Sequence, residues 1–165
     1  MFNLKSYSYS RSQLVVLVIL RVVIGWHFLY EGLAKLVNPD WSSVGFLLDS
    51  EGLFSQFFIS LASNPRILGV VDILNIWGLI AIGIGLLLGL LTRISIPAGI
   101  LLLAFYFLSH PPMVGLSYSV PSEGSYLWVN KNLIEMFALA VLFYFPTSNI
   151  IGIDRFLKRL NNISK

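Results

Sequence analysis

The chain has 165 residues, of which 56% are hydrophobic and only 12% are charged, with a formal net charge of +3. This length suits one domain, and the charged share is about half of what a soluble domain carries. So few charges could not cover a soluble fold of this size, which excludes a soluble globular enzyme and predicts an integral membrane protein. The sequence has no cysteine, which excludes disulfides, thiolate metal sites and thiol redox relays.

Four apolar stretches are predicted to span the membrane as helices, because about 20 helical residues cross the hydrocarbon of a bilayer. They cover residues 13–37, 67–91, 94–109 and 127–145. Residues 43–62 are rich in Phe and Leu but are interrupted by Asp49, Glu51 and Gly52, which favours an interfacial or re-entrant helix. The expected fold class is therefore all-α, a four-transmembrane-helix bundle with this additional helix in the first outer loop, as a single domain over residues 1–165.

The charges outside these spans are divided unequally between the two sides of the membrane. One side carries a single acid, Asp154, against these basic residues: Lys5, Arg11, Arg93, Arg155, Lys158, Arg159 and Lys165. By the positive-inside rule this side is cytoplasmic, so we expect a multi-pass protein of the cell inner (cytoplasmic) membrane with both termini in the cytoplasm. The basic residues form no patch typical of nucleic-acid binding.

Polar residues within the spans mark a candidate site, because charges at membrane depth are costly and normally face the bundle interior. They are Arg21, His27, Glu31, Lys35, Asp72, Asn75, His110, Asn130, Lys131, Asn132 and Glu135. Arg21 is expected about 12 Å from the cytoplasmic edge, and the others are concentrated toward the outer half of the bundle. His27, Glu31 and Lys35 follow at intervals of four, so they share one stripe of a helix. We therefore predict a polar pocket open to the outer leaflet. The alternative is a set of structural ion pairs, in which Arg21 is expected to pair with Glu135 or Asp72.

Aromatic residues cluster near the predicted outer interface. The candidates for stacking against a ring-shaped ligand are Trp26, Tyr30, Trp41, Trp77, Tyr126 and Trp128, of which Trp26, Tyr30 and Trp77 are taken as binding residues. The alternative is an ordinary aromatic belt.

Two segments of the sequence resemble the signatures of a known membrane family. The first runs from Arg21 through Gly25-Trp26-His27-Phe28-Leu29-Tyr30-Glu31-Gly32 to Lys35-Leu36, followed by Asn38-Pro39-x-Trp41. The second is Asn130-Lys131-Asn132-Leu133-x-Glu135, with Gly152-x-Asp154 after it. Together with the Gly-rich second span, these segments are similar to the DoxX/DoxD family. The resemblance implies a four-helix bundle and, for the DoxD branch, a membrane subunit of thiosulfate:quinone oxidoreductase, which oxidises thiosulfate to tetrathionate and reduces quinone.

The first functional hypothesis is therefore a subunit of a quinone-linked oxidoreductase that oxidises thiosulfate or a related sulfur compound. His27, Glu31 and Glu135 are its candidate catalytic residues, because quinone reduction requires proton donors. The candidate quinone- and substrate-binding residues are Arg21, Trp26, Tyr30, Lys35, Asp72, Asn75, Trp77, His110, Asn130, Lys131 and Asn132. Quinone is the expected substrate or bound ligand, and no metal is expected.

The second hypothesis is a non-catalytic membrane anchor, lipid-binding protein or small-molecule carrier that uses the same pocket. Under either hypothesis the candidate partners are membrane lipids, quinone, a second oxidoreductase subunit and a second copy of the chain.

Overall fold

The computed structural model describes residues 9–119 and 127–163, and every regular element in those ranges is an α-helix. The helices are α1 (Arg11–Leu36), α2 (Val44–Leu48), α3 (Ser55–Ser63), α4 (Pro65–Leu88), α5 (Thr92–Ser109), α6 (Lys131–Tyr144) and α7 (Asp154–Ile163). Three of them, α1, α4 and α5, are long and apolar enough to cross a membrane.

Local sequence signals explain where α1 begins and where α4 begins and ends. The side chain of Ser10 accepts from the backbone N–H of Gln13, whose own side chain bonds back to Ser10, and this capping box starts α1. Asn64 caps α4, and Pro65 occupies its first turn, where a missing N–H costs nothing. Gly89 ends α4 in a left-handed conformation with φ of 61°, which glycine adopts without strain.

The predicted spans agree with the structure for the first three helices and not for the fourth. The boundaries of α1, α4 and α5 lie within about three residues of the predicted ones. The predicted span 127–145 is helical only over Lys131–Tyr144, and these 14 residues reach about 21 Å, less than the thickness of bilayer hydrocarbon. A fourth membrane-spanning helix is therefore not confirmed.

The segment over 43–62 contains two short helices, α2 and α3, instead of one. The turn between them includes Gly52, whose φ of 87° lies in the left-handed region and cannot continue a right-handed helix. The prediction of a single helix is wrong for this reason, and the position of the segment at the membrane interface stays a prediction.

Helices α1, α4, α5 and α6 surround one hydrophobic core. The buried core residues are Ile24, Phe28, Leu79, Ile82, Leu86, Ile96, Leu103, Leu139 and Leu142. Helix α1 runs antiparallel to α4, with Gly25 against Leu86 and Gly32 against Ile80. The tightest of these contacts is at Gly83, where an added Cβ would lie 2.5 Å from the backbone nitrogen of Leu29. Small residues thus fix the distance and the register between α1 and α4.

Arg21 is buried beside the α4–α5 turn, and it does not contact either of the carboxylates predicted as its partner. Its guanidinium donates to Thr147 Oγ1 at 2.9 Å and to a backbone carbonyl of the segment after α6 at 2.8 Å. It also packs beside Gly89, at the turn between α4 and α5. The predicted pairing of Arg21 with Glu135 or Asp72 is wrong, because Glu135 bonds His27 and Asp72 bonds Ser42 instead.

Asp154 joins the start of α7 to the start of α5. Its carboxylate accepts from the backbone N–H of Leu91 at 2.7 Å and from the Thr92 hydroxyl at 2.8 Å, so it caps the first turn of α5 from a distant part of the chain. Burial alone would raise the pKa of Asp154, but hydrogen bonds from Thr92, Ser148 and two backbone N–H groups lower it overall. This contact places α7 and the α4–α5 turn at the same end of the molecule.

Candidate ligand-binding site

A cavity of about 790 Å³ lies among the helices at the end away from the α4–α5 turn. Eight residues that the sequence singled out line it together: His27, Glu31, Lys35, Asn75, His110, Asn130, Lys131 and Asn132. They come from α1, α4, the end of α5 and the start of α6. The structure therefore brings most of the predicted polar residues into one site.

The first polar group of the cavity is a pair between α1 and α6. His27 Nδ1 lies 2.9 Å from Glu135 Oε1, and the side chains are 31% and 10% exposed. Glu135 Oε2 is buried without a hydrogen-bond partner in the part of the chain that the structure describes. Because Nδ1 of His27 is engaged with the carboxylate, Nε2 is the ring nitrogen left for a ligand.

The second polar group is centred on Lys35 at the α1–α4–α5 junction. Its ammonium donates to Asn75 Oδ1 at 3.1 Å and to the Tyr106 hydroxyl at 3.5 Å, while Asn75 Nδ2 donates to the same hydroxyl at 2.7 Å. The half-exposed Glu31 carboxylate is 3.9 Å away. The ammonium also lies 5.2 Å from the ring centre of Trp41, within range of a cation–π interaction. Lys35 is thus a mostly buried cation held by neutral groups and one weak ion pair.

An aromatic layer lies against the cavity where α5 ends. The His110 ring stacks on Phe46 of α2 at 4.0 Å between ring centres and lies 4.6 Å from Tyr118. His110 Nε2 is 3.6 Å from a carboxylate oxygen of Asp49, beyond hydrogen-bond range. Burial lowers the pKa of His110, and Asp49 only partly opposes this effect. The ring is therefore neutral near pH 7 and packs as an aromatic group.

Five predicted ligand-binding residues do not line the cavity: Arg21, Trp26, Tyr30, Asp72 and Trp77. Arg21 lies near the middle of α1, and its guanidinium is directed to the α4–α5 turn, as described above. Trp26, Tyr30 and Trp77 are 59%, 59% and 56% exposed on the outer faces of α1 and α4. Their positions suit an aromatic belt better than stacking against a ligand in this cavity.

Asp72 lies behind the cavity wall. Its carboxylate accepts from the Ser42 hydroxyl at 2.8 Å and from the backbone N–H of Ser43 at 2.8 Å. Both serines line the cavity. Asp72 thus fixes the chain that enters α2 and does not face the ligand space.

Sequence reasoning missed several lining residues. Tyr106 lies in an apolar span, where an aromatic side chain is normally part of the core, so no local signal set it apart. Trp41 is grouped with the interfacial aromatic residues but is not among the predicted binding residues, although it belongs to the segment that carries the family resemblance. Phe46 and Tyr118 reach the cavity from loops and a short helix, and only the tertiary fold places them there.

A second, largely apolar groove of about 580 Å³ lies between α1 and α6. It is lined by Leu20, Val23, Ile24, His27, Val129, Asn130, Lys131, Ile134, Glu135 and Ala138. Three of these residues, His27, Asn130 and Lys131, also line the polar cavity. The His27–Glu135 pair therefore stands where the groove and the cavity meet.

Comparison with known proteins gives one match. A model of the DoxX family matches residues 16–111, which include most of α1 and all of α2 to α5. No match was found among curated proteins or among solved structures. The matched range contains the cavity residues from His27 to His110 and covers more than half of the chain. The protein therefore belongs to the DoxX family.

Proposed function

We propose that this protein is a quinone-binding membrane subunit of an oxidoreductase and that the polar cavity holds the quinone headgroup. The observation that carries the proposal is the presence of two different hydrogen-bonding groups in one cavity, His27–Glu135 and Lys35–Asn75–Tyr106. A quinone has two carbonyl oxygens on opposite sides of a flat ring, and it needs a donor at each end.

The membrane arrangement belongs to the same proposal. The basic residues Arg93, Arg155 and Lys158 lie at the end of the molecule that carries the α4–α5 turn, whereas Asp49 and Glu51 lie at the cavity end. With α6 as a fourth, shorter bundle helix, the positive-inside rule directs the cavity to the outer leaflet of the inner membrane and both termini to the cytoplasm.

His27 and Glu135 supply the proton chemistry. Reduction of a quinone to a quinol consumes two electrons and two protons, which convert both carbonyl oxygens to hydroxyls. An imidazolium whose Nδ1–H donates to the Glu135 carboxylate can pass its Nε2 proton to a quinone carbonyl oxygen and become a neutral imidazole, and Nε2 then takes its next proton from the cavity side; the carboxylate holds the ring and stabilises the imidazolium. Glu31, half-exposed on the same helix face, is a second group that can exchange protons with solvent.

Lys35 supplies positive charge at the other end of the cavity. Its ammonium is held near Asn75 and Tyr106, so it can orient a carbonyl oxygen or an anionic sulfur compound. Electrons balance when two thiosulfate ions couple to one tetrathionate and release the two electrons that the quinone accepts. The electrons pass either directly between the substrates or through a second subunit, because the sequence has no cysteine to relay them.

Quinone binding can be measured by quenching of tryptophan fluorescence, because Trp41 lines the cavity. We expect saturable quenching by 2,3-dimethoxy-5-methyl-1,4-benzoquinone, which has no long tail. His27→Gln and Lys35→Met should each weaken binding at least tenfold, while Lys158→Met on exposed α7 should not. All variants are first matched for thermal stability. Absence of saturable binding, or equal binding by all variants, would overturn the proposal.

Turnover is tested separately in membranes that contain the complete assembly. Thiosulfate-dependent quinone reduction should require the parent protein and be lost in His27→Gln and Lys35→Met. Binding without any donor-dependent reduction would contradict the oxidoreductase role and leave a quinone-binding protein.

A lipid-binding or carrier function is the second candidate. The observation that favours it is the environment of Lys35, since a buried ammonium between two aromatic rings also suits an anionic lipid headgroup. Mass spectrometry of the molecules that copurify with the protein discriminates the two: quinones support the first function and phospholipids the second.

A further inference from the structure

We propose that the groove between α1 and α6 is the seat of a long apolar tail on the same ligand and its lateral entrance from the membrane. This inference deepens the proposed function and rests on it: the substrate class becomes a quinone with a long hydrocarbon chain. The observation that supports this inference is that the groove and the cavity adjoin each other, since His27, Asn130 and Lys131 line both.

The polarity of the groove changes along its length in the way that such a ligand requires. The end nearest the cavity holds His27, Lys131 and Glu135, whereas the far end holds only apolar side chains such as Leu20 and Ala138. His27 and Leu20 are seven residues apart on α1, which is about 10 Å of helix. The groove thus runs from the headgroup site along α1 and α6 to an apolar far end.

The groove also opens sideways. Val23 on α1 is 58% exposed and Ile134 on α6 is 62% exposed, although both line the groove. In a membrane these side chains contact lipid, so a lipid-soluble ligand reaches the groove without crossing water. On the other sides of the cavity, Trp41, Phe46 and Tyr118 contribute aromatic rings to the wall.

The expected contribution of the tail to affinity is moderate. A tail that moves from lipid into the groove exchanges one apolar environment for another, so the gain comes from closer packing and not from removal of apolar surface from water. We therefore expect the tail to improve affinity by roughly tenfold, far less than the same number of methylenes would give if they left water.

The test compares a tailless and a tailed probe on the purified, full-length protein in bicelles. The probes are 2,3-dimethoxy-5-methyl-1,4-benzoquinone and its 6-decyl derivative, and affinity is measured by isothermal titration. Val23→Trp and Ile134→Trp fill the groove from either side at exposed positions, where a large side chain does not disturb the core. Ile73→Trp, 61% exposed on α4, is the matched control because it adds the same ring away from the groove.

The parent and Ile73→Trp should bind the decyl quinone about tenfold more tightly than the tailless one. Val23→Trp and Ile134→Trp should lose most of this preference while their affinity for the tailless quinone stays within about twofold of the parent value. A decyl chain that carries a terminal diazirine should crosslink to peptides of α1 and α6 that line the groove.

Three outcomes would overturn the inference. If the parent binds both quinones equally, the groove does not hold the tail and the headgroup site stands. If the parent prefers the decyl quinone but the groove variants keep that preference, the tail lies elsewhere and a separate lipid chain is the better occupant of the groove. If the parent binds neither quinone, both the groove and the proposed function fail.

Discussion

Replacing His27 should destabilise the protein more than replacing its partner Glu135. His27→Leu leaves a carboxylate that is 10% exposed and has no other hydrogen-bond partner among the described residues. The variant loses a charge-assisted hydrogen bond and keeps a buried charge, so we expect the free energy of unfolding to fall by about 3 kcal/mol. Glu135→Leu leaves an imidazole that is 31% exposed to the cavity and can stay neutral, so we expect a loss of about 1 kcal/mol.

The variant with both substitutions, His27→Leu and Glu135→Leu, completes a double-mutant cycle. With both polar groups replaced by leucine no buried charge remains, and we expect a total loss of about 1 kcal/mol, less than for His27→Leu alone. The coupling energy between the two positions is then about 3 kcal/mol. Reversible unfolding in bicelles by titration with sodium dodecyl sulfate gives all four free energies. Additive single losses, or a larger loss for Glu135→Leu than for His27→Leu, would refute the reasoning.

Three further predictions concern packing, pH and topology. Gly83→Ala should lower the free energy of unfolding by about 2 kcal/mol, because its Cβ meets the backbone of α1, whereas Gly69→Ala, which faces open space, should leave it equal or higher. Since the folded-state pKa of Asp154 lies below its ordinary value of 3.8, the stability that it contributes is complete above that pH and is lost as the pH falls toward the folded-state pKa. Asp154→Asn should therefore lose stability at neutral pH and show a flatter acid limb in unfolding measurements, and an unchanged limb would contradict this assignment. Leu53 is 89% exposed near the cavity end, so Leu53→Cys should react with an impermeant thiol reagent in intact cells. Arg93→Cys, at the opposite end, should react only after the cells are permeabilised. The reverse pattern would invert the proposed orientation.

The sequence by itself determined the features that depend on neighbouring residues. Apolar stretches of sufficient length predicted α1, α4 and α5, because hydropathy is a local property. The four-residue spacing of His27, Glu31 and Lys35 predicted that they share one helix face, and all three line the cavity. A 14-residue α6 was less predictable, because the apolar run over 127–145 continues past the last helical turn and does not mark where the helix starts or ends.

Only the tertiary structure decided which groups meet across helices. Lys35 meets Asn75 because the close approach of α1 and α4 at Gly83 fixes one register between the two helices. Arg21 bonds Thr147 and Lys35 meets Tyr106 because the segment after α6 and the helix α5 also pack against α1. A slide by one helical turn would move each partner by about 5.4 Å, which is more than the length of a hydrogen bond. Periodicity within a helix cannot specify that register, since it is set by the fit of side chains from distant parts of the chain.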